Sequence, residues 1–268
     1  MQRGKVILTG ALLCLLVVMI FVRSAKEDET DPTAGETSQG VQATSGDIQT
    51  ASAVKQLGNV VKDEASGGII IAVEDENGEE KEYLFEDVSS DAWYVPALNY
   101  AVSSGLMSNV VLDTGESFFC PDYGITRSQF AMILYRFADA EPVEAQHIYE
   151  DVPSYEWYYD CVNWADSQGL ITGIDESTFG VNEYLTCEQV VIILHRMAGT
   201  PKSSAALDEY PYLPKVSDYG KEAVRWAWET GLIAEDECVW YPTQSISRAQ
   251  TAFLLMRYYE LVEEGTIA

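Results

Sequence analysis

Apolar residues recur along this chain at helical intervals, and the same interval set appears three times. Trp93, Trp157 and Tyr219 are each followed four residues later by Ala97, Cys161 and Ala223, and eight residues later by Ala101, Ala165 and Ala227. Tyr100, Trp164 and Trp226 fill the seventh position. Such spacing lies on one side of a 3.6-residue turn, so each window predicts an amphipathic helix with a small-residue stripe. Gly105, Gly169 and Gly231 stand twelve residues after each leading aromatic. A glycine there ends the helix, because it enters the left-handed region without a Cβ clash.

A second apolar stripe comes next in each copy, at i, i+3, i+4 and i+7. It reads Phe130, Ile133, Leu134, Phe137, then Val190, Ile193, Leu194, Met197, then Thr251, Leu254, Leu255, Tyr258. Thr126, Thr186 and Ser247 precede these stripes, and Gln129, Gln189 and Gln250 stand three residues further on. That is the capping-box signature of a helix start. Phe119, Phe179 and Trp240 lie seven residues before each cap. Arg136, Arg196 and Arg257 share one position near each second helix's end, where a cation suits the helix dipole.

Trp93 to Trp157 is 64 residues and Trp157 to Tyr219 is 62. Insertions fall in loops, around Val110 to Glu116 and from Thr200 to Lys215. One pair of amphipathic helices cannot bury its apolar faces alone, but three pairs can share a core. The expected fold is therefore mainly α: three helix-pair repeats over 85–140, 149–200 and 210–262. A β-hairpin is expected over 68–84, where Asn77-Gly78 separates two β-prone runs. Residues 24–67 form an acidic spacer poor in large apolar side chains, and they are expected to be disordered.

Arg127 and Arg248 come directly after their caps, in a helical turn whose dipole is positive. A cation there is mildly unfavourable, and a carboxylate would serve stability better. An arginine beside free first-turn amides makes sense where an anion docks. The alternative is a solvent-facing arginine tolerated at a small cost.

Composition narrows the partners. The formal charge is −27, from 43 acids against 16 bases. Nucleic acid and anionic membrane surfaces both reward basic proteins, so neither is expected as a general partner. Any anionic ligand must be caught locally. Arg3 and Lys5 precede an apolar run of 17 residues, Val6 to Val22. Residues 1–23 therefore read as a signal peptide or an N-terminal membrane anchor, and either exports the rest of the chain.

Cys120, Cys161, Cys187 and Cys238 remain beyond that segment, with no zinc spacing; Cys161 falls on an apolar helix position, and the others are open between thiol and disulfide. The acidic runs Glu27–Asp31 and Glu74–Glu82 lack calcium-loop spacing. No metal or cofactor is expected. Neither a Gly-x-Ser-x-Gly, a His-Glu-x-x-His nor a P-loop pattern occurs, and both histidines, His147 and His195, lie away from any nucleophile in sequence. Catalysis is not expected.

These residues resemble the S-layer homology domain. The family's pattern is Phe-x-Asp, a helix with Trp, a Gly-ending turn, Phe-x-Pro, then Thr-Arg-Ala-Glu. Here copy one has Phe85-Glu86-Asp87, Trp93, Gly105, Phe119-Cys120-Pro121 and Thr126-Arg127-Ser128-Gln129. Copy two has Tyr149-Glu150-Asp151, Trp157, Gly169 and Phe179. Copy three has Tyr219, Gly231, Trp240-Tyr241-Pro242 and Ser247-Arg248-Ala249-Gln250. The resemblance covers about residues 85–260.

It implies a pseudo-three-fold helical bundle that binds secondary cell-wall polysaccharide, often pyruvylated, in grooves between repeats. The implied ligand-binding residues are Arg127, Arg248, Trp93, Trp157, Asp87 and Asp151, with the arginines meeting the ligand's charge. An anchoring role at the bacterial cell wall or surface is the implied function.

Departures bear on the sites. Cys187 stands in the arginine slot of copy two, and copy three has Tyr210-Pro211-Tyr212 where Phe-x-Asp belongs. At most two Arg-bearing sites are expected. Trp93 and Trp157 fall on the core-facing stripe, so both read as chiefly core with an edge toward a groove. Asp87 and Asp151 either line the groove or fix turn geometry. The alternative function is an envelope scaffold that binds another protein, its sugar sites partly lost.

Overall fold

A computed structural model describes residues 56–75, 77–204, 215–233 and 240–267. The expected export segment 1–23, Tyr210-Pro211-Tyr212 and Cys238 lie outside the described residues. Among the described residues no helix is long and apolar enough to cross a membrane.

Three antiparallel strands open the described chain: β1 (Asn59–Lys62), β2 (Ile69–Glu74) and β3 (Glu80–Phe85), in the order β1-β2-β3. Ile70 pairs with both Val61 and Leu84. The hairpin expected over 68–84 is thus a three-stranded sheet, and its first strand lies inside the stretch expected to be disordered. The reason is tertiary. The Gly58 amide donates to Ser103 Oγ and its carbonyl accepts from Asn99 Nδ2, both at 2.8 Å, which ties the strand's start to the first helix. Ile69, Ile71 and Phe85 are fully buried in the common core.

Six α-helices come next among the described residues: α1 (Val95–Ser103), α2 (Arg127–Phe137), α3 (Tyr159–Ser167), α4 (Cys187–Met197), α5 (Lys221–Glu229) and α6 (Arg248–Glu263). A two-stranded hairpin, β4 (Val110–Val111) with β5 (Ser117–Phe118), occupies the insertion of copy one. Gly105, Gly169 and Gly231 take φ of 69°, 66° and 74° at the ends of α1, α3 and α5. The capping boxes at Thr126, Thr186 and Ser247 are all formed, with both reciprocal hydrogen bonds in each. Every residue of the three second-helix stripes is buried.

The helices pack across copies rather than within them. α2 lies on α3, α4 on α5, and α6 returns to α1. Ring contacts mark each pair: Tyr135 with Trp164, His195 with Trp226, and Tyr259 with Tyr100. His195 is thereby a buried packing residue, its Nε2 2.8 Å from the Pro201 carbonyl oxygen.

The arginines near the second helices' ends make the link within each copy. Arg136 donates to Gly105 O, Arg196 to Leu170 O and Arg257 to Gly231 O. They therefore serve the C-terminal end of the first helix, not their own. Carbonyls there lack intrahelical partners, so a cation is stabilising at that end too.

Candidate functional site

The loop after each of the first two first-helices is fixed from below by a carboxylate. Asp151 accepts from the amides of Phe179 (2.8 Å), Gly180 (2.7 Å) and Val181 (3.0 Å). Asp87 accepts from Phe119 (2.7 Å) and Cys120 (2.6 Å). Burial works to raise the Asp151 carboxyl, and the amides of Phe179, Val181 and Gly180 outweigh it, so it sits below the usual carboxylate range. The two acids fix turn geometry by holding the amide of each phenylalanine.

An arginine from a neighbouring copy takes each phenylalanine's carbonyl. Arg127 Nε donates to Phe179 O at 2.9 Å and Nη2 to Thr172 O at 2.5 Å, with the guanidinium 4.8 Å over the Phe179 ring. Arg248 repeats the posture on copy one. Its Nε donates to Phe119 O at 2.7 Å, its Nη2 to Ser108 O at 3.2 Å, and it lies 4.9 Å over the Phe119 ring. The reading of a merely solvent-facing arginine is thus overturned: both are half-buried and clamped at one edge. Burial lowers the Arg127 pKa, opposed first by Asp151, and a guanidinium stays charged regardless.

The expected anion site at free helix amides is also corrected. Arg127 N donates to Glu183 O and Ser128 N to Val181 O; Arg248 N donates to Tyr123 O and Ala249 N to Pro121 O. Loops of a neighbouring copy plug each helix start, because insertion of those carbonyls satisfies the orphan donors. A ligand anion would meet the outer edge of the guanidinium. Of the five N–H donors of Arg127, two are bonded among the described residues.

Trp93 is not a core residue. α1 starts only at Val95, with Pro96 in its first turn, so Trp93 falls in the preceding turn and is 50% exposed. It meets Phe253 of α6 at 5.9 Å and Tyr94 at 5.5 Å, both edge-on. Tyr94 in turn stacks on Phe119, the ring under Arg248. An open cleft of about 360 Å³ lies between α1 and α6, lined by Trp93, Pro96, Ala97, Phe253, Met256, Arg257 and Glu260. Trp157 likewise precedes α3, half-buried, with Tyr158 edge-on at 5.1 Å.

The structure thus gathers Arg248, Asp87 and Trp93 at one junction and Arg127 and Asp151 at another, where Trp157 packs on Tyr158, whose hydroxyl donates to Asp151 O at 3.1 Å. Tyr94 and Tyr158 were not singled out from the sequence. Burial, then Asp87 for the first and Glu156 for the second, push both phenols up to about 12, so they stay neutral donors. Their signal was the recurring Trp-Tyr dipeptide.

The third junction has other chemistry. Cys187 and Glu188 are both buried, the latter 1% exposed. The Glu188 carboxylate accepts from the Ser217 amide (3.0 Å), the Ser217 hydroxyl (2.6 Å) and the Tyr219 hydroxyl (3.0 Å). Cys187 stands where the other two copies have arginine, and the buried Glu188 carboxylate follows it, so this junction offers no cation at that position. Cys161 is a buried thiol that donates to Tyr158 O at 3.2 Å. Among the described residues no cluster of His, Cys, Asp and Glu could hold a metal ion.

Residues 84–131 and 148–190 match the S-layer homology domain. Such domains anchor proteins to the bacterial cell wall and bind its secondary polysaccharide. The third copy lies outside the matched segments. The chain is also similar to an endoglucanase of Bacillus sp. (strain KSM-635), 24% identical over 175 residues. That similarity covers 63% of this chain and 18% of the endoglucanase.

Proposed function

We propose that this chain is a wall-anchoring module in which three helix-pair copies close on one another in pseudo-three-fold fashion. Two of the three junctions, at Arg127 and at Arg248, bind anionic groups of a secondary cell-wall polysaccharide. The observation that carries this reading is the duplicated posture of the two arginines. Each guanidinium is fixed along one edge by two carbonyls and from below by a phenylalanine ring. Fixing one edge pre-orients the other, and a planar fork suits a carboxylate such as a pyruvyl ketal. Trp93 beside the cleft supplies an exposed aromatic face for a sugar ring. Asp87 and Asp151 act behind the loops as positioning residues. The protein is exported to the cell surface, where it holds to the wall.

Co-sedimentation with wall sacculi tests this. Sacculi that retain their secondary polysaccharide should pull the protein down, stripped sacculi should not, and Arg127→Ala should weaken the binding. Equal binding to both would refute polysaccharide recognition. Binding to neither would favour the scaffold reading, for which the plugged helix starts and the buried Glu188 are the supporting observations.

A further inference from the structure

Copy two contains a buried polar chain that ends on the cradle of Arg127. Asp166 of α3 is 5% exposed. One carboxylate oxygen lies 2.6 Å from His147 Nδ1, and the other accepts from the Tyr149 hydroxyl at 2.8 Å. That hydroxyl accepts from the Gly173 amide at 3.0 Å. Gly173 comes directly after Thr172, whose carbonyl takes Arg127 Nη2. Tyr149 also packs 5.7 Å from Phe179, the ring beneath Arg127. In copy one, Phe85 and Val102 stand where Tyr149 and Asp166 stand in copy two. The cradle of Arg248 therefore has apolar counterparts at both positions.

A buried carboxylate is costly unless a counter-charge and hydrogen bonds compensate it. The counter-charge here is His147, on the linker between copies, with its side chain 58% exposed. It meets solvent protons directly. The groups facing Asp166 are His147 and Tyr149, and Arg127 of α2 acts on Tyr149. Burial and the bond to Asp166 keep the Tyr149 phenol neutral. The turn must track Tyr149 closely, since a Cβ on Gly173 would lie 2.5 Å from its ring.

We infer that Asp166, acting through Tyr149 and Gly173, is a positioning residue for Arg127, and that protonation of His147 sets its hold. This rests on the reading of Arg127 as the ligand-facing group. The Arg127 junction is then pH-dependent, firm while His147 is charged and looser once it is neutral. The Arg248 junction is indifferent to the same change.

The full chain is titrated from pH 5.5 to 8 while NMR follows the His147 ring, the Gly173 amide and the Arg127 Nε–H. In the wild type, all three should share one midpoint. In His147→Gln, which keeps a side-chain donor for Asp166 but has no titrating proton, the Gly173 and Arg127 signals should stay flat. Signals that ignore His147, or move equally in His147→Gln, would overturn the inference whether or not any sugar binds. The ligand arm uses a pyruvylated wall polysaccharide. Affinity of Arg248→Ala should fall about fivefold over this range, a modest coupling between sites, while that of Arg127→Ala should not change. Polysaccharide binding that is absent at every pH would sink the ligand reading and leave the NMR result to decide the positioning.

Discussion

The Leu185 amide donates to the Ile125 carbonyl at 3.0 Å, and this bond is one side of a closed triangle. Ile246 N donates to Leu185 O at 2.9 Å, and Ile125 N donates to Ile246 O at 3.2 Å. The three residues each precede a helix cap. Each copy supplies one donor and one acceptor, so no two copies complete the triangle. The helix pairs close in the same cyclic sense, with α6 covering α1.

A chain ended after Thr200 should therefore lose more than one copy. It removes α6 from α1 and α5 from α4, and it opens the triangle. Circular dichroism should show no cooperative melting transition for this truncation. A sharp transition near that of the full chain would mean that two copies suffice.

Glu188 holds the third junction. Glu188→Ala strands the Ser217 amide and two hydroxyls beside an apolar gap, and should destabilise by about 2–3 kcal/mol in urea unfolding. Glu188→Gln keeps an acceptor and should cost about 1 kcal/mol. Neither should alter binding at the arginine junctions.

Much of this was legible in the sequence. Stripes such as Phe130, Ile133, Leu134 and Phe137 have one period and one buried face, so local pattern sufficed. The caps and the stop glycines were legible for the same reason. Partnership between helices was not, because a stripe shows that a face is buried and not what covers it. Trp93 was misread as core because the stripe was extended one turn too far. Val95 begins the helix, and Pro96 fits its first turn without needing an amide. The first-turn amides were misread because their acceptors, such as Glu183 O, lie in another copy. Strand β1 was missed because Asn99 and Ser103, which anchor it, are some forty residues away in sequence.

Asp151 carries a pH dependence with a defined sign. Its folded pKa is depressed, so its contribution is complete above the unfolded carboxylate value, about pH 4, and is lost as pH falls through the folded one. Comparing Asp151→Asn with the wild type from pH 7 to pH 2, the stability gap should be widest at neutral pH and narrow with acid. A gap independent of pH would show that the charge on Asp151 contributes nothing.

Trp93 separates binding from folding. Because it is half exposed, Trp93→Ala should change stability by no more than about 1 kcal/mol. Polysaccharide affinity should drop about tenfold, as when an aromatic anchor is truncated at an interface. A large loss of stability with unchanged affinity would assign Trp93 to packing alone.

The most direct measurement is isothermal titration of the full chain with a purified, pyruvylated fragment of the wall polysaccharide. The wild type should bind two fragments, Arg127→Ala and Arg248→Ala one each, and the double variant none. A double variant that binds like the wild type, or a folded wild type that binds no fragment, would contradict anchoring through these two junctions.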